Sequence, residues 1–232
     1  MNRFSNGSKC MWVSTPPACV NPSIAQGRSY SNQNVDITGC LFVRSAVFSG
    51  DGGVIYLYQN YNLKVVNSVF YNCSTTQSGG VIFHYALNVE LSRICVYSCR
   101  ASNNQFATVF VFTSTSTYEL ITVASCGSSE SGERCFNVFA AKIKHLNSSL
   151  NQALTKSSLS LSFLSNVNFS TFANNEAGNE ICIEIDGDST FLYVNFIHNK
   201  SPTKGVFFIV SGNSNCDSGV IYGNSDFFGI HF

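Results

Sequence analysis

The sequence predicts an all-β fold, a right-handed parallel β-helix built as a single-stranded solenoid, and three observations carry that prediction. A short motif recurs with a period near 25 residues, apolar residues alternate over short segments, and those residues are of the kinds that strands favour.

Phe70-Tyr71-Asn72-Cys73 precedes Gly79-Gly80-Val81-Ile82-Phe83, and Phe42-Val43-Arg44-Ser45 precedes Gly52-Gly53-Val54-Ile55-Tyr56. Phe196-Ile197-His198-Asn199 likewise precedes Lys204-Gly205-Val206-Phe207-Phe208, and weaker copies of the first element begin at Val96, Val123, Phe172 and Ile221. The starts at 42, 70, 96, 123, 172, 196 and 221 are separated by 28, 26, 27, 49, 24 and 25 residues, so one interval is close to two periods. A degenerate rung or an insertion is therefore expected near 141–160, with the loop Asn147-Ser148-Ser149-Leu150-Asn151-Gln152-Ala153 bulging from the stack. A unit of this length suits one turn of a solenoid.

Alternation identifies the kind of solenoid. Val81-Ile82-Phe83-His84-Tyr85 and Ile181-Cys182-Ile183-Glu184-Ile185 are apolar at odd positions and mixed at even ones, a strand pattern rather than the three-and-four spacing of a helix. Twenty Phe and ten Tyr against one Trp and two Met supply the flat rings that strands favour.

Stacking follows from the period, since equivalent residues in adjacent turns lie about 4.8 Å apart. Phe42, Phe70, Val96, Val123, Phe172, Phe196 and Ile221 are expected to form an internal stack. Three residues on, Ser45, Cys73, Cys99, Cys126, Asn175, Asn199 and Asn224 are expected to form a ladder. Asn tolerates left-handed backbone, and its amide can bond to its copies above and below. Gly53, Gly80 and Gly205 mark turns into inner strands, where positive φ or close backbone approach excludes a side chain.

Hydrophobic residues make up 44% of the chain and charged residues 11%, against roughly a quarter in ordinary soluble domains. Ser, Asn and Thr must therefore cover much of the surface. Thirteen basic residues balance thirteen acidic ones, which argues against a nucleic-acid partner or an anionic membrane held by bulk charge. No apolar run approaches the ~20 residues of a membrane span, so no transmembrane segment is expected in this chain. Met1 to Gly7 has no apolar stretch behind its single Arg3 and does not read as a signal peptide, whereas the apolar Phe227 to Phe232 reads as the end of a fragment. Residues 1–34 are expected to form an N-terminal cap or irregular first rung, and 35–232 one continuous β-helix.

The paired Phe-x-x-Asn and Gly-Gly-x-Ile elements, from about Val35 to Phe232, resemble the repeat of the polymorphic outer-membrane proteins and of related β-helix proteins in parasitic protists. The resemblance implies a pectin-lyase-like fold and a surface or adhesion role, at the cell surface or secreted, with protein or glycan as partner. Cys replaces Asn in three of the repeats.

Ten cysteines, at 10, 19, 40, 73, 95, 99, 126, 135, 182 and 216, leave two readings open. One is a disulfide framework. The other, favoured for Cys73, Cys99 and Cys126, is a column of reduced thiols, since side chains stacked in register point the same way. Cys95 and Cys99, about 13 Å apart along a strand, cannot bridge each other. There is no Cys-x-x-Cys and the histidines at 84, 145, 198 and 231 are isolated, so neither a metal site nor a cofactor is expected. Asn-x-Ser/Thr triplets begin at Asn6, Asn72, Asn147, Asn168 and Asn199, and they permit secretion without arguing for it.

Function is expected to be non-enzymatic, a surface or structural interaction protein with Tyr56, Tyr58, Tyr61 and Tyr85 as candidate contacts. The alternative is a polysaccharide lyase or hydrolase. Its candidate catalytic residues are Glu184, Asp186 and Asp188, which on one strand face would stand about 6.6 Å apart, a spacing compatible with paired-carboxylate hydrolysis. A solvated strand face entering an Asp-Gly turn is the stronger reading of the same residues. Ile209, Ser211 and Asn213, expected one turn later, add neither a third acid nor a basic clamp.

Overall fold

Asn21 pairs with Phe42, Phe42 with Phe70, Phe70 with Val96, Val96 with Val123, Val123 with Ser148, Ser148 with Phe172, Phe172 with Phe196 and Phe196 with Ile221, every pair parallel. This unbroken register, in a computed structural model, defines a parallel β-solenoid with no helix among the described residues. Those residues are 21–22, 28–30, 34–47, 50–58, 61–101, 109–128, 136–179, 181–202 and 205–225.

Each turn of the coil lays down three strand faces. In one turn they are Ile55–Tyr58, the beginning of Leu63–Tyr71 and its end; in a later one they are Ile181–Asp186, Ser189–Leu192 and Asn195–Ile197. Parallel pairing also includes Asn21–Pro22 and Arg28–Tyr30, within the 1–34 expected to form a cap or irregular first rung. The rest of 1–34 lies outside the described residues.

The Phe-x-x-Asn motif divides its work by position. The first residue points inward, and Phe42, Phe70, Val96, Val123, Phe172 and Phe196 are all buried. Rings adjacent in this column stack at 5.0 Å for Phe42 and Phe70 and at 5.5 Å for Phe172 and Phe196. Each fully buried ring contributes roughly 1.5–3 kcal/mol relative to exposure. Ile221 holds the same register and is 53% exposed, on the last described rung.

The third residue makes the corner. Arg44, Asn72, Ser98, Ser125, Leu150, Asn174 and His198 all have φ between 51° and 56°. The left-handed backbone therefore falls one position before the ladder residue, not on it as expected. Only from there can the fourth side chain turn into the core.

The fourth residue is the ladder. Asn175 N–H donates to Asn199 Oδ1 at 3.0 Å, and Asn199 N–H donates to Asn224 Oδ1 at 2.8 Å. The amide groups donate to carbonyls of the preceding turn, Asn175 Nδ2 to Ser148 O at 3.0 Å and Asn199 Nδ2 to Phe172 O at 2.8 Å. Thiols take over the same duties upstream. Cys73 N–H donates to Cys99 Sγ at 3.3 Å and Cys99 N–H to Cys126 Sγ at 3.4 Å, while Cys99 Sγ–H reaches Phe70 O at 3.6 Å. The ladder thus satisfies inward-facing backbone groups that water cannot reach. Ser45 occupies the same position, but its hydroxyl donates sideways to Gly53 O at 2.9 Å.

The rung near 141–160 is complete, and its loop does not bulge. Ala141–Ser149 pairs in register with its neighbours on both sides, and Asn151 is fully buried in the ladder. Cys126 N–H donates to Asn151 Oδ1 at 2.9 Å, and Asn151 Nδ2 donates to Val123 O at 2.9 Å. Ser148 stands where the adjacent turns place Val123 and Phe172, which hid the rung from its period.

The glycines divide two requirements between them. Gly52 and Gly79 adopt φ of 70° and 67°, whereas a Cβ on Gly53 or Gly80 would strike a carbonyl oxygen of the next turn, that of Gly80 or Arg100. Gly205, buried with φ 98°, belongs to the first class. The phase of one strand differs from expectation. At the start of Ile82–Tyr97, Ile82 and His84 are the inward residues and Phe83 lies on the other face, stacked on Tyr56 at 5.5 Å. Because Ile82 and Phe83 are both apolar, the pattern alone leaves that phase ambiguous.

Candidate functional site

Of the three candidate catalytic carboxylates, two share a strand face and the third does not. Glu184 and Asp186 lie on Ile181–Asp186, but Gly187, at φ 125°, turns the chain, and Asp188 enters the next face. Each carboxylate accepts a bond from an adjacent turn: Glu184 from Ser160 Oγ at 3.2 Å, Asp186 from Ser211 Oγ at 2.6 Å and Asp188 from Asn213 N–H at 2.7 Å. Phe208, not Ile209, stands opposite Glu184, and a register shift between Ile185 and Asp186 then brings Ser211 opposite Asp186 as expected. Chemically, the trio ties turns together where the coil changes direction.

Of the four candidate tyrosines, the side chains of two are described. Tyr56 is half-buried on Phe83 and Tyr61 packs against the core; the side chains of Tyr58 and Tyr85 lie outside the described residues.

A different column presents rings to solvent. Three residues before the internal stack, a second corner runs through Gly39, Asn67, Arg93, Leu120, His145, Phe169, Tyr193 and Ser218, with φ from 50° to 66° throughout. Left-handed backbone in a tight corner throws these side chains outward. His145 stacks on Phe169 at 5.5 Å, and Phe169 on Tyr193 at 5.3 Å with planes 12° apart. Phe169 and Tyr193 remain 45% and 50% exposed. The result is a pre-stacked aromatic edge with a hydroxyl at one end, suited to contacts that combine apolar area with a hydrogen bond. It was not singled out from the sequence, although it lies at a fixed offset from the stack once Ser148 is placed in it.

His84 is fully buried with neither ring nitrogen in a hydrogen bond, and burial lowers its pKa to about 4, partly offset by the nearby backbone of Tyr61. Burial likewise pushes the Tyr118 hydroxyl and the Cys99 thiol well above their ordinary values. Among the described residues no group of three metal-ligating side chains comes together. Cys73, Cys99, Cys126, Cys182 and Cys216 are free thiols, and Cys40 and Cys95 are each disulfide-bonded, so both readings of the cysteines hold for different residues. Cys10, Cys19, Cys135 and His231 lie outside the described residues. No described helix is long and apolar enough to cross a membrane.

Comparison with protein-family models, with curated proteins and with solved structures finds no match.

Proposed function

We propose that this β-solenoid is a non-enzymatic interaction protein of the cell surface or the secreted space, and that it meets protein or glycan through the aromatic edge of His145, Phe169 and Tyr193. The observation that carries the reading is the half-exposed Phe169–Tyr193 stack, held on a left-handed corner on either side by strand pairing. An aromatic surface kept rigid loses little side-chain entropy on contact, which favours recognition. The disulfides at Cys40 and Cys95 support an oxidising compartment. The Phe-x-x-Asn repeat supports kinship with the polymorphic outer-membrane proteins, and with it a pectin-lyase-like, right-handed coil.

A glycan array and a pull-down, each run with purified protein and with a Phe169→Ser/Tyr193→Ser variant, test the reading. Binding that the variant loses by tenfold or more is the expected result; binding indifferent to the variant refutes the assigned edge. The polysaccharide-active alternative rests on Glu184, Asp186 and Asp188. Turnover of pectin or a related polymer that Asp186→Asn abolishes would favour it over the interaction reading.

A further inference from the structure

The fold sorts the Asn-x-Ser triplets into those whose amide is free and those whose amide holds the coil together. We propose that Asn72 and Asn147 are acceptors of N-linked glycan and that the ladder withholds Asn199. Four of the five triplets begin within the described residues, at Asn72, Asn147, Asn168 and Asn199; Asn6 lies outside them.

Asn199 is fully buried and both ends of its amide are engaged. Its Nδ2 donates to Phe172 O at 2.8 Å and to Asn224 Oδ1 at 3.1 Å, and its Oδ1 accepts from Asn175 N–H and Asn175 Nδ2, each at 3.0 Å. A sugar on that nitrogen would remove a donated proton and would have no space beside the core. Asn72 and Asn147 are the opposite case. Asn72 sits on an exposed left-handed corner, φ 53°, with its backbone N–H donated to Tyr97 O and its side chain directed outward. Asn147 is an exposed residue of Ala141–Ser149, between the buried Leu146 and Ser148, so its side chain leaves the coil on the solvent side. Asn168 is half-buried, between these extremes.

An independent observation supports an oxidising compartment. Cys40 and Cys95 are disulfide-bonded, and one compartment that forms disulfides, the lumen of the endoplasmic reticulum, also transfers oligosaccharide to Asn-x-Ser/Thr. The co-reactant is a polyprenyl-pyrophosphate-linked oligosaccharide. Its anomeric C1–O bond breaks, a C1–Nδ2 bond forms, the polyprenyl pyrophosphate leaves with the electron pair, and the amide nitrogen gives up one proton. With two glycans outside and one triplet locked within, the coil would carry its sugars on the third strand face and its adjoining corner, away from the Gly-Gly turns.

The test is site mapping on the full chain secreted from a eukaryotic host, with peptide-N-glycosidase treatment in heavy-oxygen water to tag each formerly glycosylated asparagine. The expected result is tags at Asn72 and Asn147 and none at Asn199, with Asn72→Gln and Asn147→Gln each removing one glycan while the β-type circular dichroism stays unchanged. Secreted, disulfide-bonded protein bare at both Asn72 and Asn147, or folded protein tagged at Asn199, overturns the proposal. Neither outcome depends on whether the aromatic edge binds a partner.

Discussion

Replacing Asn175 by Ala should separate the ladder's contribution from that of the ring stack. The side chain is buried, its Oδ1 accepts from Asn151 N–H at 3.1 Å and its Nδ2 donates to Ser148 O at 3.0 Å. Alanine orphans both of those buried backbone groups, at about 1–3 kcal/mol each, and leaves a small cavity, giving a loss near 4 kcal/mol. Against a typical stability of about 5–15 kcal/mol that is a large fraction. Cysteine at the same position should cost only about 1–2 kcal/mol, because thiols already serve in this column, accepting N–H at 3.3–3.4 Å and donating to carbonyls at 3.6–3.7 Å. Urea unfolding followed by circular dichroism measures both losses, and hydrogen exchange at the Asn151 amide reads the local effect if the solenoid unfolds in stages. Asn175→Cys proving as damaging as Asn175→Ala, or Ala costing under about 0.5 kcal/mol, would refute the reasoning.

His84 gives a pH-dependent prediction. Its folded pKa, about 4, lies below the unfolded 6.5, so its stabilising contribution is complete above pH 6.5 and is lost as pH falls toward 4. The loss sums to about 3 kcal/mol, and His84→Leu should flatten the acid limb of a stability–pH curve; an unchanged limb would count against the assignment. Gly80→Ala, whose Cβ would collide with Arg100 O, should destabilise by about 1–3 kcal/mol in the same urea assay, whereas a neutral result would mean that adjacent turns separate easily. Leu150→Asn, at an exposed corner with φ 56°, should stabilise by about 0.5 kcal/mol and raise the melting temperature, since Asn tolerates left-handed backbone better than Leu; a fall would show that the corner relaxes.

The period was legible because Phe42, Phe70, Phe172 and Phe196 each need the same apolar slot, and because Asn and Cys can both accept an inward backbone N–H. Ser148 was not, since it fills that slot with a small hydroxyl that accepts from the Asn151 amide three residues on. The corner geometry escaped because a left-handed residue in this coil is an Arg, Ser, Leu or His more often than an Asn. The carboxylates misled for a related reason. Glu184, Asp186 and Asp188 alternate in sequence like one strand face, but Gly187 bends the chain between the last two. No pattern in the sequence marks His84 as inward, since Ile82 and Phe83 allow either phase. The exposed ring edge was hidden because its members, His145, Phe169 and Tyr193, share a position rather than a residue type.

Distances between spin labels along one corner column test the stacked coil most directly. In a Cys216→Ser background, labels on Arg44→Cys paired with Asn174→Cys and with His198→Cys should lie about 24 Å and about 29 Å apart, a rise of about 4.8 Å for each added turn. Distances that fail to grow by one strand spacing per repeat would contradict the coil.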